Sequence, residues 1–409
     1  MTAAAASGLP RYAGFAALLA AAGLPIYIHA PKFYVDSYGV TLAQLSLALF
    51  ALRLIDVVQD PALGRLAEAT RRHRAAMVWG AGAIMAAAMV ALFALPPALP
   101  PVLWFALSLA ALFSAFSFLT ICFYAQGVAK ASAMGGGHVR LASWRETGAL
   151  TGVCLAAILP TALAFSGAPF AWYAGLFVVL TAAVLIAMRG EWSARGDAPA
   201  SNGLRAVLGD RPARRMLILA LVNATPVAVT STLFLFFVTE RLQAPGTEGP
   251  LLLVFFLSAA LAAPLWGRAA QRFGARHALM AAMGLAIVSF AFALGLGSGD
   301  TWAFAAICVA TGAAVGADLT LLPAMFARRL ETVAPSAADG FGLWSFVNKV
   351  TLAFAAIALL PALEAAGLAP GTESPEAALF LLTALYAGLP LVLKLVALGL
   401  LARIDPEVA

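Results

Sequence analysis

Two aspartates stand four residues apart in a stretch otherwise fit for lipid, RLIDVVQDPALGRL, from Arg53 to Leu66. On a helix that spacing puts Asp56 and Asp60 on one face, with Arg53 and Gln59 close by. Pro61 supplies no N–H to the carbonyl of Val57, which leaves a further oxygen for an ion. Two carboxylates with amide, hydroxyl or carbonyl oxygens make a hard-cation site, and two carboxylates that share a proton make a proton site. A buried ion pair of Arg53 with one aspartate, holding helices in register, is the architectural alternative. Asp318, in VGADLTLLPAMF, is a third acid inside an apolar run; it either meets a substrate hydroxyl or amine or neutralises Lys349. Lys349 itself lies within the apolar WSFVNKVTLAFAA.

These residues need a scaffold that tolerates lipid. The chain has 409 residues, of which 63% are hydrophobic and 11% charged, and its mean hydropathy is +0.94. That composition is one of an integral membrane protein. About 20 helical residues cross the hydrocarbon layer, and apolar runs of this length predict spans at 12–30, 41–66, 76–95, 102–129, 140–165, 169–188, 214–238, 249–269, 277–297, 302–327, 341–366 and 376–402. Strands of a β-barrel would alternate polar and apolar residues, which these runs do not.

Basic residues fall on one side of this arrangement: RLAEATRRHR after the second span, Lys130 and Arg140 after the fourth, the Arg-rich 189–215, GRAAQRFGARH after the eighth, and Arg328 with Arg329 after the tenth. Loops on the other side carry Glu240, Glu248, Asp300, Glu364, Glu373 and Glu376, with Arg241 and Lys32 the basic exceptions. The positive-inside rule therefore predicts cytoplasmic termini, and the pI of about 9.5 reflects topology, with no nucleic-acid partner expected. MTAAAASGLPRYAGF lacks the features of a cleavable signal, so the first span is expected to remain as an anchor. Cys122, Cys154 and Cys308 fall within spans at spacings that offer neither a metal site nor a disulfide framework.

An internal repeat organises the chain. GRLAEATRRHR begins at Gly64 and GRAAQRFGARH at Gly267, 203 residues later, each after the second helix of its half. AAILP at 156–160 is echoed by AAIALLP at 355–361. The expected organisation is a six-helix half at 1–188, a cytoplasmic linker at 189–213 and a second half at 214–409, as in transporters that rock one half against the other around a central site. Shifted by 203, Asp56 and Asp60 correspond to Ala259 and Ala263. The same helix is thus built without the acids, each of which costs roughly 2.5 to 3.5 kcal/mol on insertion scales when ionised at mid-membrane.

Other side chains suit a solute path. IYIHAPKFYVD groups Tyr27, His29, Lys32 and Tyr34 at the outer end of the first span, near the entrance; Asn223, Thr225 and Thr230 on the seventh can line the second-half side of a pocket. Trp144, Trp344 and Tyr124 lie on helices expected to face the cavity, where aromatics stack on a ring or simply pack.

RLIDVVQDPALG followed by a basic loop resembles the melibiose-permease, or glycoside-pentoside-hexuronide:cation symporter, branch of the major facilitator superfamily. The similarity runs without a gap from Asp36 to Pro61, and SFVNKV resembles the surroundings of that family's eleventh-helix lysine, at Lys349. The resemblance implies an all-α membrane protein of twelve transmembrane helices in two pseudo-symmetric halves, the major facilitator fold. It implies a cation site at Asp56, Gln59, Asp60 and Ser117, the serine replacing a threonine, with Arg53 and Lys349 coupling the ion to transport. Arg145 in LASWRETG matches a family arginine that helps hold substrate, beside Glu146.

Departures from the family bear on the substrate. The two acids with which sugar-transporting relatives hold sugar hydroxyls fall here on Ala20 and Thr120. A carboxylate accepts several hydrogen bonds from a polyol and alanine none, so sugar recognition in the melibiose manner is not expected. MFARRLETVAPSAADGFGLW departs as well, at the cytoplasmic gate.

The expected function is cation-coupled secondary transport, with Na+ or H+ as coupling ion, of a small organic solute by alternating access. Tyr27, Thr120, Tyr124, Arg145, Asp318 and Trp344 are the substrate-side candidates, and in a sodium-coupled protein Asp56 and Asp60 would hold the metal ion. The alternative is a lipid or lysolipid transporter, or a non-coupled receptor, of the same fold. No HExxH, GxSxG or P-loop stands in the chain, so neither an enzyme nor an ATP-driven pump is expected, and no cofactor. A monomer in a bacterial inner membrane, in contact with lipid, is the expected setting.

Overall fold

The computed structural model describes residues 8–134, 137–192, 203–333, 337–368 and 375–404. The middle of the linker, at 193–202, lies outside the described residues. Within the first, second, fifth and eleventh long helices some side chains, among them those of Tyr27, His29, Lys32 and Arg53, also lie outside them.

Twelve long helices and no strand occur among the described residues: α1 (Leu9–Tyr38), α2 (Leu42–Ala69), α3 (Arg74–Phe93), α4 (Pro101–Ala133), α5 (His138–Ala162), α6 (Pro169–Met188), α7 (Arg211–Phe236), α8 (Glu248–Phe273), α9 (Ala275–Ala291), α10 (Thr301–Val333), α11 (Ala338–Ala365) and α12 (Glu376–Ala402). A short helix, Gly203–Gly209, precedes α7. Eight helices are long and apolar enough to cross a membrane on the described residues. The other four, α1, α2, α5 and α11, have 30, 28, 25 and 28 residues, also enough for a crossing.

Local sequence sets the ends. α1 runs eight residues past the predicted span, to Gly39 at φ 64, whose N–H closes onto the carbonyls of Tyr34 and Val35. Two residues later Thr41 and Gln44 form a reciprocal capping box that starts α2. Asp210 caps α7 by accepting from the N–H of Ala213 at 2.8 Å. Pro61 in α2 and Pro264 in α8, again 203 residues apart, lie inside their helices.

The chain divides into two compact units. The first comprises Met1–Leu208 with Leu330–Phe346, the second Gly209–Arg329 with Val347–Ala409. The boundary therefore lies at the short helix before α7, and the start of α11 belongs with the first unit.

In the first unit α1 lies along α5, α2 along α4, and α3 against α4 and α6. Small residues permit the closest of these approaches. A Cβ on Gly148 would lie 2.2 Å from the carbonyl oxygen of Ala13, and one on Gly152 2.5 Å from that of Ala17, so the backbones of α1 and α5 meet directly. Tyr34, expected at the entrance, is buried instead, its hydroxyl donating to the Leu92 carbonyl at 3.2 Å. A phenol hidden from water needs such an acceptor.

In the second unit α7 and α9 pack on α12. α7 continues through a π turn, Phe237–Arg241, and α12 contains another, Ala384–Gly388. Phe237 and Tyr386, one from each π turn, stack with ring centres 4.1 Å apart inside the apolar core. α8 and α10 meet at Gly312 and Gly316, where an added Cβ would lie 2.3 and 2.7 Å from the carbonyl oxygens of Phe255 and Ala259.

Candidate functional site

Asp56 and Asp60 are both buried. Ser117 on α4 donates to Oδ1 of Asp56 at 3.3 Å, and Gln59 Nε2 donates to the same oxygen at 3.1 Å. Ser114, one turn before Ser117, donates to Oε1 of Gln59 at 2.8 Å. The helix spacing explains the set: Asp56 and Gln59 are three apart on α2, Ser114 and Ser117 three apart on α4, and the two edges face each other. Three of the four residues expected to form a cation site are thus joined by hydrogen bonds, and Ser114 is added to them.

Asp60 faces α11. Its Oδ2 accepts a hydrogen bond from Ser345. The crossing is tight: a Cβ on Gly342 would lie 3.0 Å from the Asp60 carbonyl oxygen, and one on Gly64 3.1 Å from the Ala338 carbonyl oxygen. Gly342 and Ser345 are three apart, and Asp60 and Gly64 four, so the contact that admits no methyl also delivers the hydroxyl to the carboxylate.

The donor set is therefore carboxylate, amide and hydroxyl oxygen. Hydroxyls that donate to a carboxylate can turn their lone pairs to a cation, and such all-oxygen shells suit hard ions. No group of three or more His, Cys, Asp or Glu side chains stands together among the described residues. Lys349 follows Ser345 by four residues on α11 and is half-buried. The side chain of Arg53 is outside the described residues.

A second cluster links α4 and α5. Arg145 Nε donates to Glu146 Oε1 at 2.7 Å, and its guanidinium carbon lies 3.9 Å from the centre of the Tyr124 ring. The Tyr124 hydroxyl donates to the same Glu146 oxygen at 3.3 Å, and its ring packs against Phe341 at 4.9 Å between centres. Arg145 Nη2 is buried without a hydrogen-bond partner among the described residues. Thr120 donates to the Phe116 carbonyl of its own helix at 2.8 Å, keeping only acceptor capacity outward. Trp344 is half-buried and Trp144 exposed. The side chain of Tyr27 is outside the described residues.

Asp318 differs from expectation. Its Oδ2 pairs with Lys394 on α12, not with Lys349, and Lys394 also donates to Asn223 Oδ1 on α7 at 2.7 Å. All three are buried. Thr225 and Thr230 return their hydroxyls to the carbonyls of Leu221 and Pro226 on α7 itself. Lys394 was not among the expected site residues, although a lone charge in the apolar LPLVLKLVALGLLA marks it as Lys349 is marked. Ser114 was legible as the i−3 neighbour of Ser117.

Outside the spans, Arg329 donates to Asp210 at 2.9 Å through Nε and again through Nη2. This paired bond holds the Asp210 carboxyl below the usual carboxylate range.

A family model described as MFS/sugar transport protein matches residues 11–405. No curated protein matches the sequence. Among solved structures, the fold is similar to a bacterial homologue of the iron transporter ferroportin in its outward-facing state, with 16% identity, a TM-score of 0.72, and coverage of 97% of this chain and 99% of that one. It is also similar to the E. coli fucose:proton symporter FucP, with 12% identity, a TM-score of 0.68, and coverage of 96% and 98%. At these identities the likeness is one of fold. The family match extends over nearly the whole chain, and with the membrane-spanning helices and all-helical architecture it identifies an integral membrane transporter, not an enzyme, belonging to the MFS/sugar transport protein family of the major facilitator superfamily.

Proposed function

We propose that this transporter couples the inward movement of a cation, Na+ or H+, to that of a small organic solute by alternating access. The observation that carries the reading is the buried set of Asp56, Gln59, Ser114 and Ser117, with Asp60 and Ser345 beside it. A helix that places two carboxylates in a membrane, where its repeat counterpart has Ala259 and Ala263, does so for a ligand that neutralises them. Cation binding would relieve repulsion between the acids, and that change favours the substrate-binding conformation, with Lys349 as a coupling residue. Arg53 takes part in the same coupling.

Substrate recognition is assigned to Arg145, Tyr124, Thr120, Trp344 and Tyr27. With Ala20 and Thr120 in place of carboxylates, a polyol would lack its strongest acceptors, so the solute is one that stacks on aromatics and offers a group to Arg145. Asp318, whose Oδ2 bonds Lys394, is the candidate of the second half. The protein works as a monomer in the inner membrane with both termini in the cytoplasm.

Thermal unfolding of the purified protein in Na+, in Li+ and across pH, compared between wild type and Asp56→Asn, tests the proposal. Stabilisation by Na+ that disappears in the variant supports a sodium site. A response to pH alone assigns the aspartates to protons. Insensitivity of the wild type to both overturns the coupling and leaves an uncoupled transporter of lipid or solute.

A further inference from the structure

In the first unit a cavity of about 500 Å³ lies between the start of α1 and the end of α6, lined by Arg11, Ile186, Ala187, Arg189 and Gly190. All five are exposed at its mouth. Space continues beside Gly190, where an added Cβ would meet nothing within 4 Å. The walls are held in place. Glu191, directly after Gly190, accepts from Lys130 of α4 at 2.9 Å, and Trp192 is buried with its ring centre 5.2 Å from that of Phe15 on α1. Near the other end of α6, Tyr173 donates to the Ala21 carbonyl of α1 at 2.6 Å. The two helices are thus fastened on either side of the lipid-spanning stretch, and the cavity is built into the packed unit.

Charge around the cavity is unbalanced. Glu191 is one carboxylate among Arg11, Lys130 and Arg189, and its short bond goes to Lys130; Arg11 stands off at 3.7 Å with half of its side chain exposed. The Arg189 side chain makes no hydrogen bond or ion pair among the described residues. Two guanidinium groups with donors to spare on one concave wall suit an oxyanion, above all a phosphate.

The adjoining surface says which phosphate. On α6, Trp172, Leu176, Val179, Ala183 and Ile186 recur every three or four residues and are all exposed, an apolar stripe that on a membrane-spanning helix faces acyl chains. The stripe runs into the cavity wall at Ile186 and Ala187 and stops at Arg189. Inorganic phosphate gains nothing from that continuity, whereas a phospholipid carries its charge and its chains across the same boundary.

We propose that Arg11 and Arg189 form a binding site for an anionic phospholipid, with its phosphodiester between the two guanidinium groups, its head group in the cavity and an acyl chain along the α6 stripe. The lipid is a bound ligand of the folded protein, not its cargo. None of these residues belongs to the cation or substrate clusters, so the inference is independent of the function proposed above.

Native mass spectrometry of the purified full-length protein, delipidated and then exposed to mixed micelles of phosphatidylglycerol and phosphatidylcholine, provides the test. We expect wild type to retain phosphatidylglycerol in preference to phosphatidylcholine. Arg11→Gln combined with Arg189→Gln should bind it about thirtyfold more weakly, each arginine at a membrane surface contributing a factor of about five. Arg72→Gln combined with Arg403→Gln removes the same charge from exposed positions elsewhere and should leave the affinity unchanged. Should loss of Arg11 beside Glu191 prevent folding, Arg189→Gln alone carries the comparison, with a loss of about fivefold. Equal retention of the two lipids, equal loss in the Arg72 and Arg403 control, or an unchanged affinity in Arg189→Gln overturns the site. Displacement of the lipid by equimolar inorganic phosphate would assign the arginines to the free ion and overturn the lipid as occupant.

Discussion

Ser345 on α11 donates its hydroxyl to Oδ2 of Asp60 on α2, 285 residues away in the chain. Ser345→Ala deprives a fully buried carboxylate of this donor, a loss of about 1–3 kcal/mol for a group hidden from water. The variant should melt at lower temperature than wild type, and Ser345→Thr, which keeps the hydroxyl, should melt close to it. Equal melting of Ser345→Ala and wild type would mean that the bond contributes nothing to the folded state.

Ser117 and Ser114 reach the site differently, one bonding Asp56 itself and the other bonding the amide that does. Ser117→Ala should weaken cation-dependent stabilisation by about tenfold in affinity, near 1.4 kcal/mol. Ser114→Ala should weaken it less, because Gln59 still holds Asp56. Cation titration of the melting temperature separates the two, and a larger effect at Ser114 would reverse this order.

Glycine positions that look alike in sequence should respond oppositely to a methyl. Gly148→Ala drives a Cβ to 2.2 Å from the Ala13 carbonyl oxygen and should strongly lower thermal stability or yield. Gly80, in α3, has nothing within 4 Å of its added Cβ; Gly80→Ala should be neutral or stabilising by up to about 1 kcal/mol. Parallel melting curves check both.

Asp210 and Arg329 form a doubly bonded pair beyond the membrane spans. The folded-state pKa of Asp210 lies below its ordinary value, so the pair's contribution is fully present above that ordinary value and is lost as pH falls through the folded one. Both side chains are half-buried, yet the pair stands at helix ends near water, so the effect is modest and weakens with salt. Asp210→Asn should narrow the stability gap to wild type only in acid; an equal gap at acid and neutral pH would show that the pair's charge does not matter.

Helix number and the polar pair on α2 were legible, because they are written in apolar length and in spacing along a single helix, whereas Ser117 and Arg145 were reached only through the resemblance to the melibiose-permease branch. Ser345 was present in SFVNKV, but its role depends on where Gly64 and Gly342 let two helices cross, and no single-helix pattern encodes a crossing. Lys394 is the clearest omission. As a lone charge in an apolar run it carried the same signal as Lys349; only its partners, 171 and 76 residues away on other helices, were hidden. Tyr34 read as an entrance residue because it sits among polar neighbours, yet a single acceptor at Leu92 is enough to bury it. The π turns left no trace in composition, since one inserted residue alters backbone bonding and not the apolar pattern.

The glycines of α10 bear on how the two repeats respond to their surroundings. Shifted by 203, Gly312 and Gly316 fall on Leu109 and Phe113 of α4, and the backbone they meet at Ala259 is the counterpart of Asp56. Where the first repeat fastens its second and fourth helices with hydroxyl, amide and carboxylate, the second presses main chain against main chain. The first fastening is made of side chains that are charged or carry hydrogen-bonding groups; in the second, among the described residues, the close approach at Gly312 and Gly316 is to carbonyl oxygens of the main chain. The same joint is thus laced by side chains in one repeat and closed by bare backbone in its twin.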